Sequence, residues 1–108
     1  MWAAAKDLVI TGGFNVYPIE VENEIDAIEG VLESAVIGLP HTDFGEAVTA
    51  IVVKNGHVTE AEIKSALNVK LAKFKQPKTI IFVESLPRNA MGKVQKNVLR
   101  DNYSNHFS

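Results

Sequence analysis

Ten consecutive residues, PRNAMGKVQK (Pro87–Lys96), carry the side chains in this chain best suited to chemistry. They set Arg88, Lys93 and Lys96 around Gly92, directly after an apolar run. A lysine ammonium is a compact charge with three donors, able to bridge several oxygens of a phosphate or carboxylate. Lys93 is the strongest candidate, because Gly92 lets the adjoining backbone approach a ligand closely. Alone, a Gly-Lys pair specifies little, and a solvated surface lysine is the commoner meaning. Two other stretches stand out. Gly12-Gly13 in TGGFN permits close backbone approach to a ligand, or is simply a turn. LAKFKQPK interleaves Lys73, Lys75 and Lys78 with Phe74, a surface suited to phosphate pairing and base stacking. Its plainer reading is a solvated helix end whose lysines complement the helix dipole.

Other chemistries lack their residues. With no cysteine there is no disulfide, thiolate metal site or cysteine nucleophile. His41, His57 and His106 fall at unrelated spacings, so no metal is assigned. No Ser/His/Asp arrangement or Walker-type phosphate loop is present. Glu20, Glu22 and Glu24 read as a helix face. A net charge of −2 argues against a general nucleic-acid binder. No apolar run approaches the roughly 18–20 residues of a membrane span, and MWAAAKDLV is not a signal peptide. Together with the missing cysteines this fits a cytoplasmic protein. The 108 residues, 46% hydrophobic and 22% charged, suit one domain with a real core. They leave too little chain to enclose a large enzyme's whole cleft.

The elements that must position these residues follow from periodicity. Asp7–Ile10 and Phe14–Tyr17 flank the Gly pair as a predicted hairpin. A helix follows from Pro18, with Val21, Ile25 and Ile28 on one stripe and Gly30 at its end. Val31–Pro40 and Ala47–Lys54 read as strands joined by the loop HTDFGE. Thr59 and Glu62 make a capping box for a second helix, whose stripe is Ile63, Leu67 and Leu71 and which ends at Pro77. Thr79–Val83 is a third strand, and a last helix is anchored by Val94, Val98 and Leu99. The expected fold is α+β, a small three-stranded central sheet covered by helices, with a separate N-terminal β-hairpin.

In order, KDLVITGGFNVYPIEVE, AVIGLPHTDFGEAV and LAKFKQPKTIIFVESLPRNAMGKVQK closely resemble the C-terminal domain of adenylate-forming acyl-CoA synthetases, over Lys6 to about Tyr103. Within that family the wording is most similar to malonyl-CoA synthetases. The resemblance implies the small mobile part of a two-domain ligase, residues 6–108, whose large N-terminal domain holds ATP, Mg²⁺ and a small carboxylic acid. Residues 1–5, MWAAA, stand where the family has a Gly-Arg pair and read as a truncation edge or an altered linker. The family's reaction has two halves: a carboxylate and ATP give acyl-AMP and pyrophosphate, and CoA then displaces AMP. Between the halves the C-terminal domain turns and presents a different face. The resemblance makes Lys93 the adenylation lysine, carried on a movable loop, and a plausible target for a lysine acetyltransferase. It sets Gly12 and Gly13 beside the pantetheine passage, Phe74, Lys75 and Lys78 near the nucleotide end of CoA, and Lys6 at the hinge. The isolated chain is then inactive. A ligase for another fatty or aryl acid, or a standalone CoA- or nucleotide-binding module, remains open beside this reading.

Overall fold

The computed structural model describes residues 8–106; the hinge expectation at Lys6 lies outside them. Strands β1 (Val9–Thr11) and β2 (Phe14–Val16) form the N-terminal hairpin, followed by helix α1 (Pro18–Asp26). The long strands β3 (Val31–His41) and β4 (Gly45–Lys54) come next, then α2 (Glu60–Asn68), a 3-10 turn (Lys73–Lys75), β5 (Thr79–Val83) and α3 (Lys96–Asn102).

Strand β4 is the centre of a five-stranded mixed sheet. It pairs antiparallel with β3 along nearly its whole length and parallel with β5 from Thr49 to Val53. Its sequence, AVTAIVV, is apolar on both sides of the pleat, as a strand buried on both faces must be. Val48, Ala50 and Val52 enter one core with Val21 and Ile25 of α1 and Ile63 and Leu67 of α2. Ile51 and Val53 enter a second core with Ala35, Ile37 and Leu39 of β3 and Leu99 of α3. Helices therefore cover both faces, two on one side and the short α3 on the other.

The expectation of a three-stranded sheet with a separate hairpin is corrected in one respect. The β3-β4-β5 trio is present, but the hairpin is joined to it, because Thr11 pairs with Gly45 and makes the sheet five-stranded. Two further bonds fasten the joint: the Gly12 N–H donates to the Phe44 carbonyl at 2.9 Å, and the Ile10 N–H to Glu46 Oε1 at 2.8 Å. Such a joint rests on pairing between residues more than thirty positions apart, which local periodicity does not carry.

The helix boundaries follow local chemistry. Thr59 and Glu62 form the capping box, with Glu62 N–H to Thr59 Oγ1 at 3.1 Å and Thr59 N–H to Glu62 Oε1 at 2.9 Å. Helix α2 stops at Asn68, earlier than the stripe through Leu71 suggested; Leu71 is still buried, but in a turn. Pro77 forces Gln76 into extended backbone, ψ 138°, which ends the 3-10 turn before it. Val94 lies outside α3, paired with Arg88 in an isolated bridge, and Tyr103 rather than Val98 packs on the second core.

The acidic trio of α1 is more than a solvated face. Glu22 Oε2 accepts the Val36 N–H at 2.8 Å and lies 2.7 Å from Lys96 Nζ, both side chains being about 15% exposed. This pair links α1 to α3 around the outer edge of β3. Glu20 pairs with Lys75 at 2.8 Å.

Candidate functional site

The segment Pro87–Gln95 is a miniature hairpin and not a slack loop. The Gln95 N–H donates to the Pro87 carbonyl at 2.8 Å, the Asn89 N–H to the Lys93 carbonyl at 3.0 Å and the Gly92 N–H to the Asn89 carbonyl at 2.9 Å. The Asn89 side chain folds back over its own turn, its Oδ1 accepting from Met91 N–H at 2.9 Å and Lys93 N–H at 3.0 Å. That is the local bonding for which asparagine is favoured in turns. Gly92 sits at φ +84°, the left-handed conformation that closes the tip. Arg88 Nη1 donates to the Gly92 carbonyl at 2.8 Å, while Nη2 pairs with Glu33 of β3. Val94, at the hairpin's base, packs on the second core.

Lys93 is exposed at the end of this frame. Among the described residues no hydrogen bond or ion pair engages its ammonium. Neighbouring cations differ: Arg88 is held by Glu33 and Lys96 by Glu22. A fixed backbone with an unengaged cation at its end is suited to meeting an anionic ligand from outside the domain.

The other candidates gather elsewhere. Gly12 and Gly13 form the β1–β2 turn, at φ +57° and +85°. A Cβ at Gly13 would meet nothing within 4 Å, so the space beside it is open. Phe14 stacks on Phe74 with ring centroids 4.6 Å apart. Lys75 Nζ lies 5.7 Å from the Phe74 ring centroid and is held by Glu20. Lys78, exposed, sets its ammonium 4.5 Å over the Phe44 ring, whose other neighbour is His41 at 4.6 Å. The structure thus brings Gly12, Gly13, Phe74, Lys75 and Lys78 to one end of the sheet and leaves Lys93 at another. Glu33, which anchors the Lys93 hairpin, and His41, beside the glycine turn, are eight strand positions apart on β3, about 26 Å at ~3.3 Å per residue.

Sequence reasoning weighed His41 only as a metal ligand and passed over Phe14, Phe44 and Asn89. Phe14 directly follows the Gly pair and Phe44 is an aromatic in an otherwise polar loop, so both were legible as loop rings; Phe14 is exposed and Phe44 half-buried. Asn89, three residues before a glycine, carried the signal of a side-chain-closed turn. Elsewhere, an open cleft of about 440 Å³ lies between the end of α1 and the start of α2, lined by Glu29, Gly30, Asn55, Gly56, His57 and Glu62. Among the described residues no three His, Asp or Glu side chains come together as a metal site, and no helix is long and apolar enough to cross a membrane.

A small sheet with a lysine hairpin at one end and a glycine turn at the other defines a class of domain. The family described as the AMP-binding enzyme C-terminal domain matches residues 20–93, and the chain belongs to that family. Among individual proteins, it is similar to apo MatB from Rhodopseudomonas palustris, at 63% identity and a TM-score of 0.94 over 95% of this chain and 21% of that one. The long-chain-fatty-acid–CoA ligase FadD13 of Mycobacterium tuberculosis is 49% identical over 92% of this chain and 20% of its own length. A 2-succinylbenzoate–CoA ligase of Listeria monocytogenes is 44% identical over 92% of this chain and 21% of its own length. The chain therefore spans about a fifth of the length of the curated relatives it matches.

Proposed function

We propose that the chain is the mobile C-terminal domain of an ATP-dependent acid–CoA ligase, and that Lys93 and the Gly12-Gly13 turn serve its two half-reactions in alternation. The observation that carries this reading is the unengaged Lys93 ammonium on a fixed hairpin, at the end of the sheet away from the glycine turn. In the first half a carboxylate oxygen attacks the α-phosphorus of ATP, the bond to the bridging oxygen breaks, and pyrophosphate leaves. Lys93 would bridge the attacking carboxylate and the α-phosphate oxygens, aligning them and offsetting the charge that grows between them. In the second half the CoA sulfur attacks the acyl carbonyl, its proton departs, and AMP leaves.

The Gly12-Gly13 turn suits that second half. A thin pantetheine chain needs a passage without side chains, and the turn leaves one. The exposed ring of Phe14 and the half-buried ring of Phe44, with the Lys78 ammonium beside Phe44, suit the adenine and phosphates of CoA. Lys75 would have to exchange Glu20 for a phosphate to take part. Because the hairpin that bears Lys93 is internally bonded, its departure from the site belongs to rotation of the whole domain, about a hinge that includes Lys6. Mg²⁺ would be held by the large N-terminal domain, and among the described residues no three His, Asp or Glu side chains gather as a metal site.

Malonate is the acid we favour, in a cytoplasmic enzyme. The support is the 63% identity to MatB, a malonyl-CoA synthetase, against 49% to a fatty acid ligase and 44% to a succinylbenzoate ligase. Those names cover very different acids at substantial identity, which also fits a domain that does not itself read the acyl group. Acetylation of Lys93 would erase its charge and halt the first half, so a lysine acetyltransferase suits this site as a regulator. The test uses the full-length parent enzyme, supplied with ATP, CoA and a series of carboxylic acids. Thioester formation with malonate and little with acetate or long chains is the expected result. Pyrophosphate exchange catalysed by residues 6–108 alone would overturn the division of labour.

A further inference from the structure

A lysine side chain has four rotatable carbons, so its ammonium reaches one spot reproducibly only if its backbone is fixed. In this hairpin one residue fixes it. The N–H of Lys93 donates to Asn89 Oδ1 at 3.0 Å, and the Lys93 carbonyl accepts from the Asn89 N–H at 3.0 Å. Asn89 also accepts from Met91 N–H at its side chain and from Gly92 N–H at its carbonyl, each at 2.9 Å. All four residues between Asn89 and Val94 lie on the surface, and Met91 is 92% exposed. No core holds the tip in shape, so side chain and backbone of Asn89 do so.

We propose that Asn89 is a positioning residue for the adenylation half-reaction, holding the Lys93 backbone so that its ammonium arrives in register with the reacting oxygens. Arg88 completes the frame by tying the Gly92 carbonyl to Glu33 of β3, which makes the tip turn with the sheet. The proposal rests on the reading of Lys93 given above. It assigns Asn89 no contact with substrate; Asn89 acts through Lys93 alone. An alanine in its place removes the acceptor of two backbone N–H groups and returns them to water, and the hairpin tip then samples many conformations. Misplacement of a reacting group by about 1 Å is enough to cost on the order of 100-fold in rate.

The experiment measures the two half-reactions of the full-length enzyme separately, for Asn89→Ala, Asn89→Asp, Lys93→Ala and the Asn89→Ala/Lys93→Ala double variant. Asn89→Ala is expected to slow acyl-adenylate formation about 10- to 100-fold in kcat. With preformed acyl-AMP it should convert CoA within about twofold of the parent rate, since Lys93 then has no task. Asn89→Asp keeps the acceptor oxygen and should recover most of the loss. In the Lys93→Ala background Asn89→Ala should cost nothing more, because the two act as a unit. Amide exchange at Met91 and Lys93 should quicken in Asn89→Ala while core amides keep their protection. Equal losses in both halves, an Asn89→Asp variant as slow as Asn89→Ala, or unchanged exchange at the tip would each overturn the proposal. If Lys93→Ala slows adenylation and Asn89→Ala does not, the positioning role falls and the reading of Lys93 stands. Should Lys93→Ala itself spare adenylation, both fall together.

Discussion

The lysine hairpin and the glycine turn are both short, exposed and pivoted on glycine, yet they are built on opposite plans. The hairpin is held from within by backbone and asparagine bonds, and it leaves its cation unengaged. The glycine turn closes the β1–β2 ladder and is braced further from outside, by Phe14 against Phe74 and by the bond to Phe44, and the cation Lys75 beside it is already paired. A region that must deliver a charge needs rigid backbone and a free side chain. One that must let a chain pass needs missing side chains and sturdy walls. The two glycine-centred motifs look alike in sequence, and the residues around them separate the tasks.

The largest test of this contrast is Lys93→Ala in the full-length enzyme. Removing one positioned cation from the adenylation transition state should cost at least about 100-fold, or roughly 3 kcal/mol. Thioester formation from preformed acyl-AMP should hardly change. A matched fall in both half-reactions would make Lys93 a general binding or structural residue and erase the contrast.

Gly13 tests the other end. Alanine and leucine there carry similar backbone strain at φ +85°, and neither meets a neighbour within the domain at its Cβ. The difference between them therefore reports what enters the open space. Gly13→Leu should slow the CoA half-reaction about tenfold or more beyond Gly13→Ala, with adenylation spared. Equal rates for the two variants would remove the passage from the picture.

Phe44 sharpens the same comparison more gently. Phe44→Leu keeps the loop apolar while taking the ring from under Lys78 and beside His41. The KM for CoA should rise about five- to tenfold, as expected for losing a stacking face worth about 1 kcal/mol. Turnover with pantetheine, which lacks the nucleotide, should be unaffected. A loss of the same size with pantetheine would assign Phe44 to the turn's structure alone.

The smallest effect concerns the frame behind the end proposed to face CoA. Lys64 lies 3.1 Å from Glu60 and also donates to the Lys78 carbonyl at 3.0 Å. Its ammonium holds the Glu60 carboxyl below the usual 4.5, against partial burial, with the Ile80 N–H assisting. A carboxyl lowered on folding adds stability in full above its unfolded pKa, and that stability is lost as pH falls through the folded value. Glu60→Gln should therefore cost at most about 0.5 kcal/mol at neutral pH, solvent screening included, and nothing once pH is well below 4.5. Thermal melts at neutral and acid pH measure it; an undiminished difference in acid would contradict the assignment.

Much of this was legible in the sequence because it is local. The capping box at Thr59, the helix start at Pro18, the both-faced apolar run of β4 and the glycine turn all depend on neighbours within a few residues. Gly12, Gly13, Phe74, Lys75 and Lys78 were singled out and do gather. What escaped was set by distant partners. The union of hairpin and sheet hangs on Thr11 and Gly45, and Lys75 is claimed by Glu20 from another helix. Helix α2 ends early because Leu71 can be buried in a turn as well as in a helix, which an apolar stripe does not distinguish.

The bond from Val36 to Glu22 has a meaning for the molecule in a crowded solution. Strand β3 is one of the outer strands of the sheet, and outer strands offer amides that recruit strands from other chains. The Val36 amide points outward, and by the two-residue period of a strand so do those at Ser34, Gly38 and Pro40. Glu22 occupies the one at Val36, and Pro40 has none to offer. Helices α1 and α3, joined by the Glu22–Lys96 pair, close over the edge from either side. If the domain swings as proposed, that flank is exposed at each turnover. Of these four outward positions, Val36 and Pro40 have no amide to offer a second chain.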